Sequence, residues 1–305
     1  MPPTSIERVG INPLSWYRTA TGRLLIDDDA PSLRDVYTQV RRAGYNAVHA
    51  QVPLDMSPAS YRSLLDEVGL SPAPGYFQAR FSNDRLLPHI AADARRIAAE
   101  HAQLGLDRIF IADWFATPER FATPARGVDH DPGRLQRITK NLAHTCAVMV
   151  KEGVTPCLHQ HVGTWIETPD ETIAVLEAIA PELLLFGPDT GHLAWAGADV
   201  PELVRRYANR VGAVHLKDVH LAICERALED RLSYDDATAL HLWTEPGRGD
   251  VDLGAVVRAL DGFDGWYLIE VDIADEATPE LSAEVGVSWI RAHNEHVEQV
   301  EPSPP

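Results

Sequence analysis

Four segments of the chain each run from a short apolar stretch straight into side chains that bind metals or move protons. They are Thr155-Pro-Cys-Leu-His-Gln-His161, Leu183-Leu-Leu-Phe-Gly-Pro-Asp189, Ala213-Val-His-Leu-Lys-Asp218 and Trp266-Tyr-Leu-Ile-Glu-Val-Asp272. Asp189 is followed three residues later by His192, which suits a hard divalent cation plus a substrate hydroxyl; the competing role is a helix cap with His192 packed under a loop. Alternation along a strand puts His215 and Lys217 on one face, so Lys217 can hold a substrate oxygen as a cation or, once desolvated, act as a base. Glu270 sits in the most apolar strand, where a carboxylate is costly unless paired or metal-bound, which makes it the best single ligand candidate. His159 and His161 share a face, and Glu167 stands at the mouth of the next helix, which welcomes a carboxylate electrostatically. Spacing leaves open which of these three reaches a metal. Two or three carboxylates with one or two imidazoles favour Mn²⁺, Co²⁺, Fe²⁺ or Mg²⁺ over a thiolate-bound zinc.

Strands that end in His, Asp or Glu deliver those side chains to one rim of a sheet, and four doing so in order build one polar site. Strand patterns fall at 8–11, 47–51, 71–76, 108–111, 155–159, 183–186, 213–216 and 266–271. Amphipathic helical patterns fall between most of them, at 33–43, 60–68, 90–104, 132–152, 172–180, 200–209 and 253–260. Ser57-Pro58 and Thr168-Pro-Asp-Glu171 read as helix starts, and Gly44, Gly69, Gly105 and Gly153 as left-handed helix ends. Eight strands, seven crossovers and a closing helix at 282–298 predict an α/β chain forming a single (β/α)8 TIM barrel, with its site at the C-terminal rim. No linker divides the chain, so residues 1–299 are expected to be one catalytic domain and 300–305 a disordered tail. The long connections, 115–131 and 219–250, are where such a barrel carries substrate contacts and lids. Trp114, Phe115 and Trp195 fall at this rim as pocket lining or as contacts in a homo-oligomer, with lining the preferred reading.

Composition excludes several classes. Lys plus Arg number 27 against 45 Asp plus Glu, a net charge of -18, which repels phosphate backbones and argues against nucleic-acid binding. Cys146, Cys157 and Cys224 fit neither a disulfide framework nor a zinc spacing and read as reduced thiols. The first residues lack the basic start and apolar run of a signal peptide, and no stretch approaches a membrane span of about 18 apolar residues. The expectation is a cytoplasmic protein with no membrane partner. Glu245-Pro-Gly-Arg-Gly-Asp-Val-Asp252 is Gly-rich but lacks the strand-to-helix context of a dinucleotide site and reads as a tight turn.

On these residues the chain resembles the sugar phosphate isomerase/epimerase superfamily of xylose isomerase-like barrels and, within it, the inosose dehydratases. The motifs are Gly10-Ile-Asn-Pro-Leu-Ser-Trp16, Gly75-Tyr-Phe77, His159-Gln-His-Val-Gly-Thr164 with Glu167-Thr168, Asp189-Thr-Gly-His192, His215-Leu-Lys-Asp-Val219 and Thr244-Glu-Pro-Gly-Arg-Gly-Asp250. The resemblance spans about residues 9–297 and implies a divalent metal, Mn²⁺ foremost, held by Asp189, His215, Glu270 and a fourth ligand from strand five or its loop. Many superfamily members place a Glu at the end of that strand; His159 stands there, so Glu167 is taken to complete the set. The resemblance also implies substrate contacts from Asn12, Trp16, His159, His192, His220 and Arg248, and catalytic roles for Glu270, His161 and Lys217. His220 replaces an Arg, and Arg248 a polar or acidic residue, relative to the group.

A metal bound to a ketone and its neighbouring hydroxyl acidifies the intervening C–H and stabilises an enediolate. Loss of a β-hydroxyl then gives dehydration of a keto-polyol such as 2-keto-myo-inositol, while return of the proton gives an epimer or an isomer. Two other function classes use such a barrel. Endonuclease IV shares this barrel but uses a trinuclear zinc site and binds DNA, which the net charge opposes. A barrel that binds sugar without catalysis is opposed by the presence of all the ligand positions.

Overall fold

The computed structural model describes residues 6–19, 25, 29–115 and 117–300, the last four by backbone alone. Eleven strands are formed among them: β1 (Arg8–Asn12), β2 (Ala47–His49), β3 (Ser71–Ala73), β4 (Tyr76–Ala79), β5 (Arg108–Asp113), β6 (Thr155–Leu158), β7 (Leu185–Phe186), β8 (Ala213–Leu216), β9 (Asp218–Val219), β10 (Trp243–Thr244) and β11 (Trp266–Glu270). Parallel pairing runs β3-β2-β1-β11-β8 in one sheet and β4-β5-β6-β7 in the other. The two sheets are one barrel. β3 and β4 are halves of a single strand broken at Pro74-Gly75, and Phe186↔Val211 and Asp189↔His215 bridges join β7 to β8. Gly75 is required at the break, because a Cβ there would lie 2.1 Å from the Ala50 carbonyl oxygen.

Helices return the chain between strands, and their ends are written locally. Ser57 accepts from the Ser60 N–H ahead of Pro58, and Thr168 with Glu171 forms a capping box. Gly44 and Gly69 close their helices at φ +108° and +74°, a conformation open to glycine at little cost. The observed helices Leu33–Ala43, Pro58–Val68, Leu87–Gln103, Pro132–Lys151, Pro169–Ala178, Val200–Arg206, Leu253–Ala259 and Pro279–Val300 match the amphipathic patterns.

Period-2 alternation sets what faces the barrel axis. Ala47, Ala73, Phe110, Cys157, Ala213 and Leu268 form a small inner cluster, while Ile109, Leu158, Val214, Leu216, Tyr267 and Ile269 belong to the larger one packed under the helices. His159, His215 and Glu270 each lie two residues beyond an inner-cluster member, so they too face inward, one layer higher. A third apolar cluster covers the C-terminal end: Val162, Trp195, Val219, Cys224, Ala227, Tyr234, Ala237, Leu242 and Trp243 are among its members.

The sequence marks that cover only as a long connection. Residues 219–250 fold into helices Leu221–Glu229 and Tyr234–Ala239 and an antiparallel β9–β10 ribbon. Both helices are too short for a 3.6-residue period to stand out. Trp195, expected at the rim in a loop, ends the short helix Thr190–Trp195 and is 1% exposed. The predicted strand at 183–186 is shorter, because the Leu183 and Leu184 N–H groups turn back to Ala180. Cys146, Cys157 and Cys224 are free and buried. No described helix is long and apolar enough to cross a membrane. The tail at 301–305 lies outside the described residues.

Candidate metal centre and active site

Asp189 does two jobs with its two oxygens. Oδ1 accepts from the His192 N–H at 2.8 Å and caps helix Thr190–Trp195. Oδ2 has no hydrogen-bond partner although Asp189 is fully buried. Oδ2 faces His215 Nδ1 at 3.6 Å and His159 Nε2 at 4.0 Å, and His215 Nδ1 is 3.6 Å from Glu270 Oε2. These separations are too long for hydrogen bonds and match donors arranged about one cation at roughly 2.0–2.2 Å each. Both ring nitrogens of His215 also lack partners, as does His159 Nδ1. A buried acceptor left unpaired costs about 1–3 kcal/mol, and a cation bound between Asp189 Oδ2 and His215 Nδ1 removes that cost for those two atoms. The residues fit a divalent metal: His159, Asp189 and His215 bring ligand atoms within 4.8 Å of one another, and Glu270 completes a mixed oxygen/nitrogen set.

Lys217 is the cation already present. Its ammonium lies 2.5 Å from Glu270 Oε1, 3.4 Å from Asp272 Oδ1 and 3.7 Å from Asp189 Oδ2, with the side chain fully buried. Burial alone would lower its pKa, but the three carboxylates raise it, so Lys217 stays charged. Reciprocally, burial would raise Glu270, yet Lys217 and His215 hold it well below the usual carboxylate range. Asn12, paired with Glu270 across the β1–β11 register, donates its amide N–H to Oε2. Thr190 fixes the strand end that carries Lys217, accepting its N–H at 2.9 Å and donating to its carbonyl at 2.6 Å.

Above this layer the His161 and His192 rings meet at a 39° tilt with centroids 3.7 Å apart. Burial pushes His161 down to about 4, and His159 and His192 well below the ordinary imidazole value, so all three are neutral at pH 7. His161 Nδ1 lies 2.7 Å from the Val162 carbonyl oxygen, which assigns the proton to Nδ1 and leaves Nε2 as the lone-pair nitrogen. His192 Nε2 faces Lys217 at 3.5 Å. With His159 these rings form a second imidazole group of ligand spacing. Phe115, Trp243 and Tyr234 close over the pair, with ring centroids at 4.7 Å (Phe115 to His161), 4.8 Å (Trp243 to His192) and 6.1 Å (Tyr234 to His161).

Four sequence-predicted residues stand elsewhere. Glu167 does not join the donor set: its carboxylate accepts from the Gly163, Ala125 and Gly127 N–H groups at 2.9, 3.2 and 2.8 Å and lies 3.4 Å from Arg120. Three amides and a guanidinium use it fully, so it ties two rim loops together, and His159 occupies the strand-five position. Trp16 donates its indole N–H to Gln39, committing its polar edge to helix Leu33–Ala43. His220 faces Asp275 at 3.4 Å, and Arg248 pairs with Glu245 and Glu276, so both are engaged by carboxylates outside the donor set. Sequence reasoning gave no role to Asp272, although it ends one of the four quoted segments. Tyr234, whose hydroxyl donates to Asp272 Oδ2 at 3.4 Å, carried no sequence signal.

Comparison with known proteins agrees with this architecture. The chain is 29% identical over 280 residues to an inosose dehydratase of Geobacillus kaustophilus (strain HTA426), covering 87% of each. It is 28% identical over 290 residues to a rhizopine catabolism protein of Rhizobium meliloti, covering 92% of this chain and 86% of the relative. An L-ribulose 3-epimerase superposes with a TM-score of 0.69 at 16% identity, covering 98% and 100% of the two chains. An IolI protein with a bound zinc atom superposes with a TM-score of 0.68 at 12% identity, covering 95% and 99%. The sequence profile of the xylose isomerase-like TIM barrel matches residues 37–293. With that match over most of its length, the chain belongs to the xylose isomerase-like TIM barrel family.

Proposed function

We propose that the chain is a divalent-metal-dependent lyase that dehydrates a cyclic keto-polyol of the 2-keto-myo-inositol type. The observation that carries the reading is the buried, unpartnered pair of Asp189 Oδ2 and His215 Nδ1 facing each other between His159 and Glu270. Similarity to inosose dehydratases over 87% of the chain supports the substrate class. Asp189, His215, Glu270 and His159 would hold the metal, with Mn²⁺ favoured by the ligand chemistry. When bound, the ion supplies Lewis acidity that makes a C–H beside a ketone easier to remove.

The chain's own groups do the rest. Lys217, fixed as a cation by three carboxylates, offers N–H donors to a substrate oxygen where negative charge develops. Because it stays protonated, it orients and stabilises and does not act as a base. His161 is the better base: its Nδ1 proton is committed to Val162, its Nε2 lone pair is available, and it keeps partial exposure among otherwise buried neighbours. Glu270, held ionised by Lys217 and Asn12, serves as a ligand and a weak acceptor. The proton His161 takes from carbon is then the one delivered to the departing β-hydroxyl, which leaves as water, while the aromatic walls from Phe115, Trp243 and Tyr234 keep bulk water from the reacting carbons. The same groups serve an epimerase or isomerase if the abstracted proton is returned to carbon.

Metal content by mass spectrometry and product analysis test this together. Wild type and Glu167→Gln are expected to carry one Mn, Co, Fe or Mg per chain, Glu270→Gln none, and the loaded wild type to dehydrate a keto-inositol. Metal lost from Glu167→Gln but kept in Glu270→Gln would overturn the assignment. An epimerised or isomerised product would shift the reading to the second reaction.

A further inference from the structure

The donor set and Lys217 lie under a cover. His159, Asp189, His192, His215 and Lys217 are each at most 2% exposed, so a polyol cannot reach them while the chain stays as it is. The covering segment, residues 220–242, leaves through β9 and returns through β10. Val219 pairs with Trp243 and Asp218 with Thr244, so both ends emerge from one two-stranded stem. Its apolar side chains, Cys224, Ala227, Tyr234, Ala237 and Leu242, belong to the rim cluster and to neither barrel cluster.

Two carboxylates fasten the segment. Asp275 holds both of its ends, facing His220 Nε2 at 3.4 Å and His241 Nδ1 at 2.7 Å. Asp275 is itself placed by its N–H, which donates to Glu245 at 3.0 Å. His241, at the exit, has φ +58°, and Arg231, between the two helices, has φ +53°; both lie in the left-handed region that is strained for a side-chain-bearing residue. The second fastener is internal: Tyr234 Oη donates to Asp272 Oδ2, and Asp272 Oδ1 contacts Lys217. The Tyr234 ring lies 4.9 Å from Phe115 and 5.2 Å from Phe121 and Trp195, so it plugs the mouth as its hydroxyl reaches the charged layer.

We propose that residues 220–242 form a hinged cap that lifts to admit substrate, and that Tyr234 is a positioning residue carried by that cap. By holding Asp272, Tyr234 keeps Lys217 shared among three carboxylates. Without it, Asp272 no longer steadies Lys217 from the cap side, and the ammonium is free to leave the position that faces substrate. The charged end of the site is therefore complete only when the cap is shut, which couples water exclusion to readiness for reaction.

The chain has three lysines, and this makes the cap measurable without knowing the substrate. Lys140 and Lys151 are exposed and serve as internal controls, while Lys217 is the buried probe. The full-length protein is acetylated with a succinimidyl ester, labelled lysines are quantified by peptide mass spectrometry, and amide hydrogen exchange is followed in parallel. Asp275→Ala is expected to speed both Lys217 labelling relative to Lys140 and exchange across 221–242 by about fivefold, the worth of one or two hydrogen bonds. Exchange in helix Pro132–Lys151 should stay unchanged, which separates cap opening from global unfolding. Equal Lys217 labelling and equal 221–242 exchange in wild type and Asp275→Ala would overturn the cap.

For Tyr234→Phe the ring is kept and only the hydroxyl is lost. Lys217 labelling should rise by about fivefold with metal content unchanged. In the kinetic arm, which rests on the function proposed above, kcat should fall by a similar factor with KM within about twofold. Wild-type labelling together with wild-type kcat would overturn the positioning role. If the wild type turns over no keto-polyol, the proposed function fails while the labelling result still decides the role of Tyr234.

Discussion

Arg120→Met is the substitution whose cost the structure specifies most fully. Arg120 is 1% exposed, and its guanidinium forms a two-pronged contact with Glu171: Nη1 donates to Oε2 at 2.8 Å and Nη2 to Oε1 at 2.7 Å. Nε donates to the Val128 carbonyl at 2.8 Å, and Nη1 lies 3.4 Å from Glu167. Burial would raise the pKa of Glu171, but the Arg120 hydrogen bonds and charge bring it down from 4.5 to about 2. A shift of that size corresponds to about 3 kcal/mol at 1.36 kcal/mol per unit. It agrees with the ~3–5 kcal/mol lost when one partner of a buried pair is removed. The lower figure applies because Glu171 keeps the N–H groups of Glu167 and Thr168, and His130 at 3.0 Å.

At about 2.1 cal/mol/K of unfolding entropy per residue, 3 kcal/mol lowers Tm by roughly 5 °C. The sign with pH follows from the direction of the shift. A carboxyl whose folded pKa is depressed contributes stability above its unfolded value and loses it as pH falls through the folded one. The difference between wild type and Arg120→Met should therefore be full at pH 7 and shrink as pH drops from 4.5 toward 2. Urea unfolding across that range measures it. A loss under about 1 kcal/mol at pH 7, or one that does not change with pH, would refute the claim that this ion pair ties down the rim loops.

Two further outcomes are expected. Asp113, at the end of β5, is pushed up to about 7 mainly by burial, its two oxygens accepting the N–H groups of Phe81 and Trp165. A carboxyl raised in this way stabilises the fold most below its ordinary value and loses that contribution as pH rises toward 7, so Asp113→Asn should gain on wild type between pH 5 and pH 8; parallel denaturation curves at the two pH values would contradict it. Gly191→Ala places a Cβ 2.7 Å from Lys217 Cγ in a fully buried setting, so Lys217 must move off its carboxylates. Turnover should fall at least about tenfold, roughly 1.4 kcal/mol in the barrier, with metal content retained; unchanged kinetics would show that the Lys217 position is not needed.

The barrel and the inward face were legible in the chain because they are local. Apolar alternation in Ala213-Val-His-Leu and Trp266-Tyr-Leu-Ile-Glu places His215 and Glu270 on the inner face whatever else the chain does, and strand polarity brings both to the same rim. Helix ends were equally local, since a capping hydroxyl before Pro58 or a left-handed Gly44 acts through its own neighbours. Which side chains share a partner is not local. The family resemblance points to Glu167 as the ligand that replaces a strand-five Glu, but its oxygens are claimed by Ala125 and Gly127, some 40 residues away in sequence. Asp189 could be read as a cap or a ligand; the fold makes it a cap with one oxygen and leaves the other facing His215.

Tyr234 and Asp275 gained their roles only when the β9–β10 stem folded residues 220–242 back over the rim. Side-chain types and strand periodicity thus determined the barrel and its inward chemistry. Tertiary closure decided which of those groups pair with one another, because a buried charge takes whatever partner the fold brings within reach.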